Sequence, residues 1–123
     1  MSHDWDIVTI QQRSFYAHDE SYYKTYVNNI INEIHKFAPN AKIVWHLTWS
    51  FDRFINKNLG NKSFKFNGNV EKRDNMYDNI VNAYNNKVKN FVGDVIPTGY
   101  AIQLYRYRLP VIEPEDDFTS GDH

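Results

Sequence analysis

The stretch Ala41-Lys-Ile-Val-Trp-His-Leu-Thr-Trp49 decides the fold of this chain. It is only nine residues long and rich in Trp and β-branched residues, which favours a strand over a helix. Ile43, Val44 and Leu47 make it apolar on both faces, as in a parallel strand that is covered on both sides. We therefore predict a buried parallel strand with His46 near its carboxyl end, where open α/β sheets bind ligands.

Composition narrows the classes of function. The chain has 123 residues, 16% of them aromatic, which suits one domain with a hydrophobic core. The net charge is −1 and no basic stripe is visible, which argues against nucleic-acid binding. The absence of Cys excludes disulfides and thiolate zinc sites, and no apolar run approaches the ~20 residues of a membrane span. The first residues lack the basic and apolar segments of a signal peptide, and the compartment stays open.

On both sides of the central strand, short β-branched runs alternate with amphipathic patterns. Apolar side chains at i, i+4 intervals predict two long helices. Residues 50–69, rich in Asn, Lys, Gly and Phe, are predicted to form an irregular loop that packs onto the domain. The predicted elements are strands near 6–11, 42–48 and 93–97, long helices near 20–37 and 70–91, and a short helix from Thr98.

This alternation predicts an α/β domain with about three parallel strands in chain order. Right-handed crossovers that move one way across the sheet place both long helices on the same face. Strands this apolar need cover on the other face too, and only the short last helix is available for it. We therefore predict that residues 1–123 form a single, incomplete domain with an exposed sheet edge that allows self-association.

Polar side chains follow or end each of the three predicted strands. Carboxyl ends of parallel strands meet at one edge of a sheet, so these groups should surround a small-molecule site there. Thr98 follows the third strand, and Gln103 lies about one turn further on. The candidate substrate-binding residues are Gln11, Gln12, Ser14, His46, Trp49 and Gln103.

Structural roles are open alternatives for the same residues. Gln11 and Gln12 could simply end a strand, His46 could be a hydrogen-bonded core histidine, and Trp49 could be core or pocket wall. No metal site is predicted, because the five His residues show no ligand spacing. No G-x-S-x-G motif occurs, so no local Ser nucleophile is predicted either.

Three blocks of the sequence carry a resemblance to a known superfamily. They are Asp-Trp-Asp-Ile-Val-Thr-Ile-Gln-Gln at 4–12, Asn-Ala-Lys-Ile-Val-Trp-His-Leu-Thr-Trp at 40–49, and Val-Ile-Pro-Thr-Gly-Tyr-Ala-Ile-Gln at 95–103. In this order they resemble a domain-of-unknown-function branch of the SGNH (GDSL-like) hydrolase superfamily. The resemblance implies a flavodoxin-like α/β/α sandwich. It also implies that the intact parent is a serine esterase or acetylesterase that acts without a cofactor on small-molecule or carbohydrate esters.

The resemblance also implies roles for particular positions. Gln11 and Gln12 fall where the superfamily has a Gly-x-Asn oxyanion block, and a Gln amide could donate the same hydrogen bond. Asp122 looks like the acid that orients the catalytic base. The base itself would fall two places past His123, unless the alignment is wrong by two positions, and the nucleophile block would precede Met1.

The resemblance thus implies an internal fragment of a hydrolase that is inactive alone. Two alternatives stay open. One is a non-catalytic module that binds a carbohydrate or a partner through Trp49 and the aromatic loop. The other is a split-gene subunit that completes its sheet on another chain. Neither the substrate nor its acyl group follows from the sequence.

Overall fold

The computed structural model of the chain describes residues 6–108. Its main sheet has three parallel strands, β1 (Ile7–Ile10), β2 (Lys42–His46) and β5 (Val95–Ile96), in the order β1-β2-β5. Val8 pairs with Ile43 and Trp45 pairs with Val95, so β2 is the central strand. The three predicted parallel strands, in chain order, are confirmed.

Three helices connect and follow these strands: α1 (Lys24–Phe37), α2 (Val70–Lys87) and α3 (Thr98–Arg108). A short 3-10 helix, Glu20–Tyr22, leads into α1, and the Asp19 side chain accepts a hydrogen bond from Ser21 N at its start. Asn69 caps α2 by accepting from Lys72 N, one of the backbone donors that a helix leaves unpaired.

Both long helices lie on the same face of the sheet, as predicted. Trp45 of β2 points to this face, with its ring 6.0 Å from the ring of Tyr23 at the start of α1. On its other side, the same indole lies 6.5 Å from the ring of Tyr84 in α2. The core therefore forms between β2 and the two helices, with Val27, Ile80 and other buried apolar residues around Trp45.

The segment between β2 and α2 contains a hairpin where the sequence predicted an irregular loop. Strands β3 (Asn56–Leu59) and β4 (Lys62–Lys65) pair in antiparallel fashion. Gly60 begins the connection with φ of +60°, a conformation that favours glycine. Phe64 of β4 is buried edge-to-face against Phe51, at 4.8 Å between ring centroids. The hairpin therefore packs onto the domain, and this packing role was predicted.

The face opposite α1 and α2 keeps large apolar side chains in contact with solvent. Ile7 of β1 is 58% exposed and Ile96 of β5 is 40% exposed. Neither residue belongs to the cluster around Trp45. Within residues 6–108, no helix is both long and apolar enough to span a bilayer.

Candidate functional site

His46 is held by hydrogen bonds on both ring nitrogens at the carboxyl edge of the sheet. Its Nδ1 lies 2.5 Å from the side-chain oxygen of Gln11, and its Nε2 lies 2.8 Å from the hydroxyl of Thr98. An amide oxygen only accepts, so Nδ1 carries the proton in the neutral ring. Nε2 then accepts from Thr98, and the three side chains form one hydroxyl–imidazole–amide array.

Three different elements deliver these side chains. Gln11 follows β1, His46 ends β2, and Thr98 begins α3 directly after β5. Parallel pairing brings the three carboxyl ends together, since His46 lies opposite Ile96. The array is therefore a consequence of the sheet topology.

A glycine allows α3 to begin against the central strand. Gly99 N donates to Leu47 O at 2.9 Å. A Cβ at Gly99 would lie 1.9 Å from the carbonyl oxygen of Thr48, which no side chain could tolerate. The missing side chain thus lets Thr98 reach His46.

A buried arginine of α3 holds the loop that follows β2. Arg106 of α3 donates to the Ser50 hydroxyl at 2.9 Å and to the Ser50 carbonyl at 3.1 Å. Both residues are buried. Trp49, the residue before Ser50, presents its ring edge-on to His46, with centroids 6.5 Å apart. Arg106 therefore holds the loop that places this indole beside the array.

Gln12 and Gln103, which the sequence also placed at this site, form hydrogen bonds with residues outside the array. Gln12 donates to the Tyr22 carbonyl at 3.0 Å and accepts from Arg13 N, so its amide faces the 3-10 helix that precedes α1. Gln103 donates to Asp74 of α2 at 2.7 Å. Ser14 begins a 3-10 helix, Ser14–Tyr16, and Asp122 lies outside the described residues.

A polar cluster around Asp74 was not predicted from the sequence. Its carboxylate accepts hydrogen bonds from Arg73, Gln103 and the Tyr107 hydroxyl. The hydrogen bond to Asp74 and partial burial raise the pKa of Tyr107. Gln103 and Tyr107 are 29 and 33 residues away from Asp74 in sequence, and no local pattern connects them to it. The cluster joins α2 to α3 and explains why Gln103 is turned away from His46.

A largely apolar cavity of about 380 Å³ opens beside the end of β1. Gln11, Gln12 and Trp45 line it together with Tyr16 and Tyr22, whose rings stack at 4.0 Å. Gln11 lines the cavity and is also hydrogen-bonded to His46. An apolar group bound in the cavity would therefore lie next to the polar array of Gln11, His46 and Thr98. Among residues 6–108, no group of three or more His, Asp or Glu side chains could hold a metal ion.

Comparisons with known proteins identify the domain. Residues 1–123 match the family described as "Domain of unknown function (DUF4886)". The chain is also similar to the crystal structure of a DUF4886 family protein from Bacteroides uniformis ATCC 8492, with 26% identity and a TM-score of 0.71. This match covers 98% of the chain and 44% of that protein, so the chain spans less than half of that relative's length. A search of curated proteins finds no match.

Proposed function

The chain belongs to the DUF4886 family, and from the residues at the carboxyl edge of its sheet we propose that it supplies the substrate-orienting part of an SGNH-type ester hydrolase site. The observation that carries the proposal is His46, held between Gln11 and Thr98. A polar array at the carboxyl edge of a parallel sheet is the usual position for a small-molecule site. The three sequence blocks that resemble the superfamily contain all three residues.

Gln11 is the better candidate for the oxyanion donor than Gln12. The Gln11 oxygen is engaged by His46, and its amide nitrogen has no hydrogen-bond partner within residues 6–108. That nitrogen is therefore positioned as a fixed donor for a developing negative charge. The Gln12 amide nitrogen already donates to Tyr22 O.

The nucleophile and the general base would come from polypeptide beyond this chain. The Bacteroides uniformis relative is more than twice the length of the matched region, which supports this division. Asp122 keeps the role implied by the resemblance, the acid that orients the base. The substrate would be a small-molecule or carbohydrate ester, with its apolar part in the cavity beside Gln11.

The test uses the complete reading frame that contains this chain, assayed with p-nitrophenyl acetate. Gln11→Ala should lower kcat by about 10²-fold or more, as loss of an oxyanion donor does. Gln11→Glu separates the two functions of the amide, because it keeps an acceptor for His46 Nδ1 and removes the donor. If Gln11 is the donor, both variants lose activity.

Gln12→Ala is the matched control and should change kcat by less than about tenfold, since its amide is used within the fold. Activity retained in Gln11→Glu would assign Gln11 to the positioning of His46 only. A complete protein without ester hydrolysis would reject the proposal.

A non-catalytic ligand-binding module is a second candidate, which the aromatic cavity favours. Stacked Tyr16 and Tyr22 offer a flat apolar wall next to the polar Gln11, as sites for amphipathic small molecules do. Calorimetric titration of the complete protein with an acetylated sugar distinguishes the two. Binding without turnover would favour the module over the hydrolase.

A further inference from the structure

The hairpin formed by β3 and β4 docks onto residues 14–22, the segment that links β1 to α1. Lys62 Nζ lies 2.6 Å from the Asp19 carboxylate. Asn61 donates to the Tyr22 hydroxyl at 3.0 Å. An isolated two-stranded hairpin is only marginally stable in water, so the persistence of these strands depends on their docking.

His18 lies at the centre of this contact. Its ring packs edge-to-face against Phe64 of β4, with 5.5 Å between centroids, and Phe64 is buried. The Nδ1 atom of His18 is also buried and has no hydrogen-bond partner within residues 6–108. Burial, aided by the charge of Lys62, lowers the pKa of His18 below its ordinary value of 6.5. The imidazole is therefore mostly neutral when the pH is neutral.

Protonation of His18 would place an uncompensated donor inside the contact. Both nitrogens of an imidazolium carry a proton, so Nδ1 would have to donate a hydrogen bond. No acceptor within residues 6–108 is placed to receive it. A buried donor without an acceptor destabilises the arrangement that buries it, and a charged donor does so more strongly.

The charged groups around His18 do not compensate for this cost. Lys62 of β4 disfavours the protonated ring and Asp19 favours it, but the two are paired with each other and their effects oppose. The Asp19 oxygens already accept hydrogen bonds from Lys62 and Ser21. From α2, Lys72 lines the cavity that His18 borders and adds positive charge, while the other α2 side chains there are Asn and Met.

We propose that His18 is an acid-sensitive latch for the hairpin: the neutral imidazole allows β3 and β4 to dock onto residues 14–22, and protonation releases them. Once released, His18 titrates near its ordinary pKa of 6.5, and in the docked state its pKa is lower. Docking is therefore stabilised fully above pH 6.5 and weakens as the pH falls below that value.

The latch would act on the cavity at the end of β1. Tyr22 lines that cavity with Tyr16, accepts a hydrogen bond from Asn61, and has its ring 5.2 Å from Lys62 Nζ. A Cβ at Gly60 would lie 2.8 Å from the Tyr16 hydroxyl, so the hairpin turn lies against the same wall. Release of the hairpin would withdraw support from both rings.

Hydrogen exchange of the complete protein, measured by mass spectrometry at about pH 7.5 and about pH 5, tests the latch. Protection factors correct for the direct effect of pH on the chemical exchange. They should fall at least about threefold for residues 56–65 at the lower pH, since these amides belong to the released hairpin. Residues 76–84 of α2 should change less, and a return to the higher pH should restore the protection.

Substitution of His18 separates the latch from other effects of acid. His18→Phe keeps a ring against Phe64 and cannot be protonated, so residues 56–65 should be equally protected at both pH values. His18→Gln, which is also uncharged, is the second variant and should behave in the same way. His35→Gln, at an exposed position of α1, is the matched control and should keep the fall in protection.

Three results would overturn the proposal. Equal protection of residues 56–65 at both pH values in the original protein would show that His18 does not control docking. A fall that persists in both His18 variants would assign the acid sensitivity to another group. An equal fall in α2 would show that acid loosens the whole domain. The measurements need no enzymatic activity, so they are independent of the proposed hydrolase function.

Discussion

At the scale of single residues, the buried pair of Ser50 and Arg106 ties α3 to the loop after β2. The guanidinium donates to both the hydroxyl and the carbonyl of Ser50. Ser50→Ala removes one acceptor from a charged donor that is buried. We expect a loss of about 1–3 kcal/mol in the free energy of unfolding, measured by urea denaturation.

The matched control for this change is Ser63→Ala. Ser63 is exposed on β4, so the same substitution should change stability by less than about 0.5 kcal/mol. Equal effects of the two substitutions would show that the Arg106 contact contributes nothing to the loop.

The ion pair between Asp19 and Lys62 makes the stability of the fold depend on pH. Hydrogen bonds from Lys62, at 2.6 Å, and from Ser21 lower the pKa of Asp19 to about 2, from an ordinary value of 3.8. A carboxyl whose pKa is lower in the folded state stabilises the fold above its unfolded pKa. This contribution is complete above pH 3.8 and disappears as the pH falls through about 2.

Asp19→Asn should therefore reduce the loss of unfolding free energy between about pH 4 and pH 2. Urea denaturation monitored by circular dichroism at each pH measures this free energy. Asp78→Asn, at an exposed position of α2, is the control and should keep the fall. A curve that is identical for Asp19→Asn and the original chain would contradict the role of the Lys62 pair.

The sequence predicted the placement of some site residues and not of others, for a physical reason. Gln11 and His46 directly follow or end parallel strands, so topology alone brings them together. Gln12 lies one residue further from the end of its strand, and Gln103 lies about one helical turn further. At these positions the hydrogen-bond partners of each side chain decide where it points. Their partners, Tyr22 O and Asp74, are contacts of the folded state that spacing does not reveal.

At the scale of elements, the hairpin between β3 and β4 depends on one glycine. Gly60 has φ of +60°, and a Cβ there would lie 2.7 Å from Phe15 Cε2 and 2.8 Å from the Tyr16 hydroxyl. Gly60→Ala should destabilise the chain by about 1–3 kcal/mol through backbone strain and collision with rings. Thermal unfolding measured by circular dichroism gives the change.

Gly93→Ala is the control, because a Cβ at Gly93 meets nothing within 4 Å. We expect a neutral or slightly stabilising effect, since Ala restricts the unfolded chain. If Gly60→Ala behaves like Gly93→Ala, the hairpin contributes little to the stability of the domain.

The elements differ in how well the sequence encodes them. Both long helices follow from apolar side chains at i, i+4 spacing, and their packing on Trp45 follows from crossover handedness. The hairpin strands contain mostly Asn, Lys and Ser and lack the alternation of a half-buried strand. Gly60-Asn61 is a two-residue turn signal for a hairpin. The residues on either side do not alternate between apolar and polar, so the sequence alone does not predict strands there.

At the scale of the whole molecule, the candidate site combines a hydroxyl with an imidazole, and within residues 6–108 no carboxylate is hydrogen-bonded to that imidazole. Gln11 fills the position of the acid in the array around His46. A neutral amide stabilises an imidazolium far less than a carboxylate does, and replacing the acid of a Ser-His-Asp triad by an amide costs about 10⁴ in kcat. Thr98, although bound to Nε2, is therefore not expected to act as a nucleophile.

We accordingly expect this 123-residue chain alone to hydrolyse p-nitrophenyl acetate no faster than buffer. The complete reading frame should show turnover, because the proposed nucleophile and base lie in the added polypeptide. Thr98→Val in the complete protein keeps the shape and removes the hydroxyl bound to His46. It should lower kcat only modestly, by less than about 10²-fold, if Thr98 orients His46 and takes no covalent part. Turnover by the chain alone, lost in Thr98→Val or in any Ser→Ala variant within it, would instead place the nucleophile inside this chain and contradict the division of the site.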